Sequence, residues 1–90
     1  MGIFNKRMGS KGVRKMKVWI AVEYEPYEGG DVEGVFNSKS NALEFVFSKL
    51  KGEIKINEYK QDKDNILDRP TIFLQSDKEF MKWKIEEWEI

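Results

Sequence analysis

Hydrophobic and polar residues alternate in the stretch that follows residue 16. Between residues 17 and 25, Trp19 and Ala21 point to one side of the chain together with charged residues. The opposite side is formed by Val18, Ile20, Val22 and Tyr24. A period of two that is rich in β-branched residues predicts a strand with one fully apolar face.

The residues after this strand predict a hairpin. Pro26 ends the strand, and the loop 27–31 contains two glycines, which we expect to supply the positive φ angles of the turn. Residues 32–36 then return as a second strand. Gly34 inside this strand predicts a bulge or the close approach of another element.

The hydrophobic period changes after residue 37 and indicates a helix of about three turns. Ser38 is a favourable N-cap, and Gly52 stands where a left-handed C-cap belongs. The apolar stripe between them consists of Ala42, Leu43, Phe45, Val46, Phe47 and Leu50. We therefore predict one amphipathic helix over about residues 39–51.

Three more strands are predicted after the helix, over residues 53–59, 70–75 and 80–90. The middle strand has apolar residues at consecutive positions, which is typical of a strand that is covered on both faces. In the last strand the apolar phase slips at Glu86-Glu87, which predicts a β-bulge.

The order of these elements, β-β-α-β-β-β, indicates the α+β class. We predict an antiparallel sheet of about five strands with the one helix on one of its faces. The chain divides into a basic flexible arm, residues 1–15, and a single α+β domain, residues 16–90. An alternative interpretation is that Met16 is the natural start.

Charge is distributed unevenly although the formal net charge is zero. Residues 1–17 carry six basic side chains and no acidic one, whereas residues 18–90 carry the other ten basic groups and all 16 acidic groups, which makes a net charge of −6. In the arm the basic residues are Lys6, Arg7, Lys11, Arg14 and Lys15. Charge asymmetry of this kind points to binding partners rather than to a fold.

The fold leaves one face of the sheet open. Trp19 lies opposite the apolar face of its strand, and in the absence of the bulge Trp88 would lie opposite Trp83. An exposed aromatic patch on the open face would mark an interface. The alternative is that the bulge turns Trp88 inward and that the arm or the 60–70 loop covers Trp19.

Composition limits the available chemistry. The chain has no cysteine and no histidine, which excludes disulfides, thiolate chemistry, zinc sites built on these residues and histidine proton shuttles. The loop 61–68 is rich in Asp and Asn but lacks the central glycine and the closing glutamate of a calcium loop. The carboxylate pairs Glu23 with Glu25 and Glu86 with Glu87 fit solvated strand positions. We therefore expect no enzyme activity, no metal and no cofactor.

Several motifs from Met16 onward resemble a group of small uncharacterised proteins of bacteria and their phages. They are the start Met16-Lys17-Val18, the turn 27–30 (Tyr-Glu-Gly-Gly), the segment 34–38 (Gly-Val-Phe-Asn-Ser) and the final strand 85–90 (Ile-Glu-Glu-Trp-Glu-Ile). The resemblance covers the two ends of the domain, and both the arm and residues 53–80 depart from it. It implies a phage-type accessory protein, for which binding a host protein is a common role.

We expect a non-enzymatic interaction protein, plausibly phage-encoded, that binds and inhibits or redirects a bacterial host protein complex. The alternative is a nucleic-acid-binding accessory protein that acts through the basic arm. The candidate partner-binding residues are Lys6, Arg7, Lys11, Arg14, Lys15, Trp19 and Trp88. The sequence leaves open whether the arm docks on its own acidic domain or on a partner, and a further hypothesis is that the acidic domain mimics the charge of DNA.

Location and self-association follow from weaker signals. No apolar run approaches the length of about 20 residues that spans a bilayer, and no apolar stretch of a secretion signal follows the basic N-terminus. We expect no membrane partner and a cytoplasmic location, in the bacterial host cytoplasm if the resemblance holds. The open sheet face also makes a homo-oligomer possible.

Overall fold

The computed structural model of the protein describes residues 16–62, 64 and 68–90. These residues form β1 (Lys17–Tyr24), β2 (Gly30–Phe36), α1 (Lys39–Lys49), β3 (Ile54–Tyr59), β4 (Thr71–Ser76) and β5 (Lys82–Glu89). The five strands make one antiparallel sheet, and the predicted α+β class and element order are confirmed.

The strands lie in the order β2-β1-β5-β4-β3 across the sheet. Each neighbouring pair is antiparallel, so β2 and β3 form the two edges and α1 connects one edge to the other. The backbone N–H of Ile90 donates to the carbonyl of Met16 at 2.8 Å, which extends the pairing of β1 with β5 by one residue. Residues 1–15 therefore connect to the sheet next to the last residue of the chain.

The core lies between α1 and one face of the sheet, called here the helix face. It is formed by Ala21, Ala42, Val46, Leu50, Ile72, Leu74, Trp83 and Ile85. Ala21 is fully buried, and Trp19 packs against this core, so the helix covers the face of β1 that carries these two residues. The helix thus lies opposite the fully apolar side of β1.

This arrangement corrects the expectation that Trp19 would lie on the open face. The pattern of β1 alone favours Val18, Ile20 and Val22 as the buried side. In the sheet, however, Ala21 is paired with Ile85, and Ile85 is paired with Ile72. The apolar surface summed across β1, β5 and β4 therefore decides which face the helix covers.

The two ends of α1 follow the predicted capping residues. The Ser38 hydroxyl accepts a hydrogen bond from the Asn41 N–H at 3.1 Å, which satisfies one free donor of the first turn. The helix ends at Lys49, two residues before the predicted end, and its C-cap Leu50 is extended. Gly52 does adopt the left-handed conformation, with φ of 87°.

Of the two bulges predicted from the sequence, the one near Gly34 is confirmed and the one at Glu86-Glu87 is wrong. The pairing of β1 with β2 shifts between Ala21 and Val22, opposite Gly34 and Val32, so Glu33 is the extra residue of a bulge beside Gly34. By contrast β5 pairs with β1 without a shift from Lys17–Glu89 to Tyr24–Lys82. The bulge expected at Glu86-Glu87 is absent from this register.

The apolar phase slips in β5 for a different reason. Glu87 lies on the helix face and forms an ion pair with Lys17 at 3.2 Å. Trp88 lies on the open face, and its ring is covered by the Arg69 guanidinium at 3.4 Å from the ring centroid. Glu87 and Trp88 thus each contact a cationic side chain on the face where they lie, so the change in apolar pattern needs no change of register.

Candidate functional site

The open face of the sheet, opposite α1, is the largest candidate surface. Residues that pair directly across antiparallel strands share a face, and this rule assigns every strand position. The open face carries Val18, Ile20, Val22 and Tyr24 of β1, Val32 and Val35 of β2, Lys82, Lys84, Glu86 and Trp88 of β5, Thr71, Phe73 and Gln75 of β4, and Lys55, Asn57 and Tyr59 of β3. Two chemically different halves follow from this assignment.

The half on β1 and β2 is aliphatic. Its five β-branched side chains, called here the valine patch, are Val18, Ile20, Val22, Val32 and Val35. Val32 and Val35 are 62% and 59% exposed, Val18 and Ile20 are partly exposed, and Val22 between them is buried. The helix α1 lies on the other side of the sheet. A contiguous apolar patch of this kind is typical of an interaction site, whereas scattered apolar residues are normal on any surface.

Five carboxylates lie on the same hairpin as the valine patch, and two of them, Glu23 and Asp31, lie on the helix face because Glu23 pairs with Trp83. Residues 18–38 contain five acidic residues and no basic one, whereas residues 39–90 contain 11 acidic and ten basic residues. Residues 18–38 therefore carry −5 of the net charge of −6 of residues 18–90. Its acidic residues are Glu23, Glu25, Glu28, Asp31 and Glu33.

Among the described residues, no basic side chain lies within ion-pair distance of these carboxylates. The ion pairs within 4.0 Å are those of Lys17, Lys39 and Lys84, and each of them joins a carboxylate outside residues 18–38. Glu23 and Asp31 lie directly opposite each other on β1 and β2. Like charges in directly opposed positions destabilise a sheet, so this edge of the domain favours a cationic neighbour.

The tip of the hairpin exposes a strained tyrosine. The N–H of Glu28 donates to the carbonyl of Glu25 at 3.2 Å, which closes a four-residue turn with Pro26 in its second position. Tyr27 occupies the third position with φ of 68°, a conformation that glycine or asparagine normally supplies. The expectation that the two loop glycines adopt positive φ angles is wrong, since Tyr27 does so instead. Its side chain is fully exposed.

The half on β5, β4 and β3 is aromatic and basic. Phe73 and Tyr59 are 38% and 42% exposed, so the prediction that β4 is covered on both faces is wrong at Phe73. The Tyr59 hydroxyl donates to the Asp68 carboxylate at 2.6 Å, and this bond raises the pKa of Tyr59. Lys55, Lys82 and Lys84 lie between and beside the aromatic rings on the same face.

Glu86 is the acidic residue of β5 on this face, and it is held by its neighbours. Burial raises the pKa of Glu86, whereas hydrogen bonds from the Trp88 indole N–H and from Lys84, both at 3.0 Å, lower it. The positive charges of Lys84 and Arg69 act in the same direction, so the net shift of this pKa is downward. Glu86 is therefore ionised at neutral pH, and the positive charge of Lys84 balances its negative charge.

A cleft of about 280 Å³ lies on the helix face. Trp19, Ile72 and Ile85 contribute to its apolar lining, and Lys39 and Glu58 join across it in a 2.8 Å ion pair. The hydrogen bond and the charge of Lys39 lower the pKa of Glu58. A general acid needs a raised pKa, so this shift does not favour acid catalysis in the cleft.

The predicted site residues do not form one surface. Trp19 lies on the helix face and Trp88 on the open face, so the two tryptophans are separated by the thickness of the sheet. Lys6, Arg7, Lys11, Arg14 and Lys15 lie outside the described residues, as do residues 63 and 65–67 of the Asp-rich loop. Within the described part of the chain, no group of three acidic side chains is arranged to hold a metal ion.

Sequence reasoning missed the residues that stand out in the structure. Tyr27 was overlooked because two glycines follow it in the same loop, and Val32 and Val35 were predicted only as part of a returning strand. One available signal was the count of charges by element, because a hairpin with five acidic residues and no basic one is unusual within a domain whose remaining residues are nearly balanced.

Comparisons of this chain with protein-family models, with curated proteins and with solved structures find no match. In the described part of the chain, no helix has the length and apolar character needed to cross a membrane.

Proposed function

We propose that the protein is a non-enzymatic interaction protein that docks on a bacterial host protein complex through its β1–β2 hairpin and thereby inhibits or redirects it. The observation that carries this proposal is the valine patch, with Val32 and Val35 about 60% exposed. The resemblance to small phage and bacterial proteins supports the choice of a host protein as the partner.

The hairpin has the composition of a protein-binding surface. Interfaces combine an apolar centre with a polar rim, and the residues that dominate the binding energy are often tyrosine, tryptophan or arginine. On this hairpin the valine patch would form the centre, and the carboxylates of the turn and of the reverse side of the two strands would supply the negative charge around it. Tyr27 at the tip would insert into the partner as an anchor.

Tyr27 supports this proposal independently of the patch. A tyrosine at a positive φ angle costs stability, and its fully exposed ring recovers nothing by packing within the chain. Strained residues of this kind concentrate at binding and catalytic sites. We therefore assign the ring of Tyr27 to the partner rather than to the fold.

Charge narrows the class of partner. The hairpin is uniformly acidic, so a cationic protein surface with apolar groups at its centre would be attracted to it and held in a defined orientation. Rim charges act mainly on the rate of association and on specificity. A neutral or acidic partner would leave Glu23 and Asp31 opposed without compensation.

The proposal is tested by affinity purification from bacterial lysate with matched variants. The double substitution Val32→Thr and Val35→Thr keeps β-branched shape but makes the patch polar, and Tyr27→Ala removes the anchor. Each should lower the amount of a stoichiometric partner, with Tyr27→Ala weakening affinity by roughly 30-fold if it is a hot spot. Ile56→Thr, at a half-exposed position on the opposite face, is the control and should retain the partner.

Three results would contradict the proposal. The first is the absence of any stoichiometric protein, and the second is equal capture by the wild type and the valine variants. The third is a homodimer that the valine variants dissociate, measured by light scattering after gel filtration, since a second copy would then occupy the patch. A version that starts at Met16 separates any contribution of the arm.

A further inference from the structure

The other half of the open face carries a second kind of surface. The aliphatic side chains of β1 and β2 give way to aromatic and basic side chains on β5, β4 and β3. From this change of chemistry we infer that the β3–β5 half binds single-stranded nucleic acid and stacks bases on Phe73 and Tyr59. This site is distinct from the arm and from the valine patch.

The two aromatic rings are placed as neighbours on a flat surface. Phe73 pairs with Asn57, and Tyr59 pairs with Thr71, so the two rings occupy diagonal positions on adjacent antiparallel strands. Diagonal positions place Cβ atoms about 7–8 Å apart. Both rings are more than one third exposed, so a base can reach each of them. Aromatic side chains that bind successive unpaired bases are the general means of holding a single strand.

Lysine side chains lie on the same face as the Phe73 and Tyr59 rings, where the phosphates of a bound strand would contact them. Lys82 and Lys84 lie on β5 and Lys55 lies on β3, all on the open face. Lys84 is neutralised by Glu86 at 3.0 Å, but Lys55 and Lys82 are within ion-pair distance of no carboxylate among the described residues. Lys55 and Lys82, on the two strands that flank β4, thus remain available for a phosphate backbone.

The Arg69 guanidinium adds a third available charge. Its central carbon lies over the Trp88 ring at 3.4 Å from the centroid. A guanidinium held by stacking still presents N–H donors along its edge, where a phosphate oxygen can accept. Trp88 therefore serves this surface by holding Arg69 rather than by stacking on a base.

The carboxylates of this half are already engaged by hydrogen bonds. Glu86 accepts from the Trp88 indole and from Lys84, and Asp68 accepts from the Tyr59 hydroxyl. The acidic surplus of the domain lies instead on the β1–β2 hairpin. The net negative charge of the domain is therefore a poor guide to the potential over β3, β4 and β5.

A single strand fits this surface better than a duplex. Stacking on Phe73 and Tyr59 requires unpaired bases, which a duplex does not offer. The amides of Asn57 and Gln75 lie beside the rings and can form hydrogen bonds with the edges of exposed bases. A duplex would also bring two charged backbones towards the acidic hairpin at the far side of the same face.

The site is tested by fluorescence anisotropy with the full chain and labelled oligo(dT), as a single strand and annealed to its complement. We expect saturable binding to the single strand and much weaker binding to the duplex. Phe73→Ala and Tyr59→Ala should each weaken binding roughly tenfold, which corresponds to the loss of one stacked base. Tyr59→Phe keeps the ring and should bind like the wild type.

The controls separate stacking from folding and from charge. Phe80→Ala removes an exposed phenylalanine outside the strands and should have no effect. Phe73→Leu keeps apolar bulk on the sheet but should still weaken binding, because leucine has no π-face. With the three available cations engaged, log affinity should fall against log salt with a slope of about −2 or steeper.

Any of three results would overturn the inference. These are no saturable binding to the single strand at low salt, equal binding of single strand and duplex, and unchanged affinity in both alanine variants. If a version starting at Met16 loses all binding while Phe73→Ala and Tyr59→Ala bind like wild type, the arm alone is the binding element and the stacking site is refuted. The valine variants should bind normally, so this test is independent of the proposed protein partner.

Discussion

Tyr27 offers a prediction in which stability and function move in opposite directions. The residue adopts φ of 68° in the hairpin turn, and its ring is fully exposed. Replacing it with glycine removes the steric conflict of a Cβ atom at positive φ while removing no contact within the chain. We expect Tyr27→Gly to unfold at a higher temperature than wild type and to bind the partner less tightly.

The size of the effect follows from two opposed contributions. A left-handed conformation costs an L-residue about 1–2 kcal/mol, and relief of this strain stabilises the variant. Glycine also has a more flexible unfolded state, which costs roughly 0.5–1 kcal/mol. The net gain is about 0.5–1 kcal/mol. For a domain of this size it corresponds to a rise of about 2–8 °C in Tm.

Two more variants identify the cause. Tyr27→Ala keeps the Cβ atom and removes the ring, so its stability should stay close to that of wild type. Tyr27→Asn should be stabilised in part, because asparagine tolerates the left-handed region better than other residues. Thermal and chemical unfolding followed by circular dichroism measure all four proteins under one set of conditions.

The reasoning about Tyr27 would be refuted if the glycine and alanine variants were equally stable, since backbone strain would then play no part. In the binding assay all three variants lack the ring and should weaken capture of the partner alike. If binding followed stability instead of the presence of the ring, the anchor role would be wrong.

Three other predictions concern the fold. A Cβ atom at Gly34 would lie 2.8 Å from the Phe36 ring, so Gly34→Ala should destabilise by about 1–3 kcal/mol, whereas Gly29→Ala meets nothing within 4 Å and should be neutral or slightly stabilising in the same denaturation assay. The folded state lowers the pKa of Glu86, so the ionised Glu86 adds to the free energy of unfolding above its unfolded pKa, and this contribution is lost as the pH falls through the folded pKa. The difference in free energy of unfolding between wild type and Glu86→Gln should therefore close below about pH 4.5 in denaturant titrations. Ser38→Ala removes the N-cap and should cost about 1 kcal/mol, and an unchanged unfolding midpoint would contradict the assigned cap.

Much of the fold could be predicted from local patterns. Alternation identified β1, the change of period identified α1, and Ser38 marked the first turn of the helix. Gly34 marked the bulge in β2 because a residue without a Cβ atom is needed next to the Phe36 ring. These features depend on residues that are close in sequence, which is why the sequence predicts them.

The choice of the buried face could not be predicted in this way. Val18, Ile20 and Val22 form the more apolar side of β1, yet the helix covers Ala21. The helix packs over β1, β2 and β5, and Ile72 and Leu74 of β4 belong to the same buried cluster. The order of the strands determines which apolar side chains form one continuous surface, and the sequence does not reveal that order.

The candidate site depends on the same long-range information. Trp19 was grouped with Trp88 because both are aromatic, but the register of β5 places them on opposite faces. Tyr27 was overlooked because glycine is the usual residue at positive φ, and two glycines follow closely in the same loop. A conformation that contradicts residue preference can be found only in the structure, and for this reason it carries functional information.

The two proposed surfaces can operate independently although they share one face of one sheet. The edge strands β2 and β3 are separated by four interstrand spacings, which amount to about 19 Å. The Debye length at physiological ionic strength is about 8 Å, so charges on the hairpin are largely screened from a ligand over β3 and β4.

The independence of the two surfaces should therefore depend on salt. At low ionic strength the Debye length exceeds the width of the sheet, and the acidic hairpin should then weaken binding of a single strand. Neutralising Glu23 and Asp31 together should increase single-strand affinity at low salt and leave it unchanged at physiological salt, and an equal effect in both conditions would show that the two halves are coupled by contact rather than by charge.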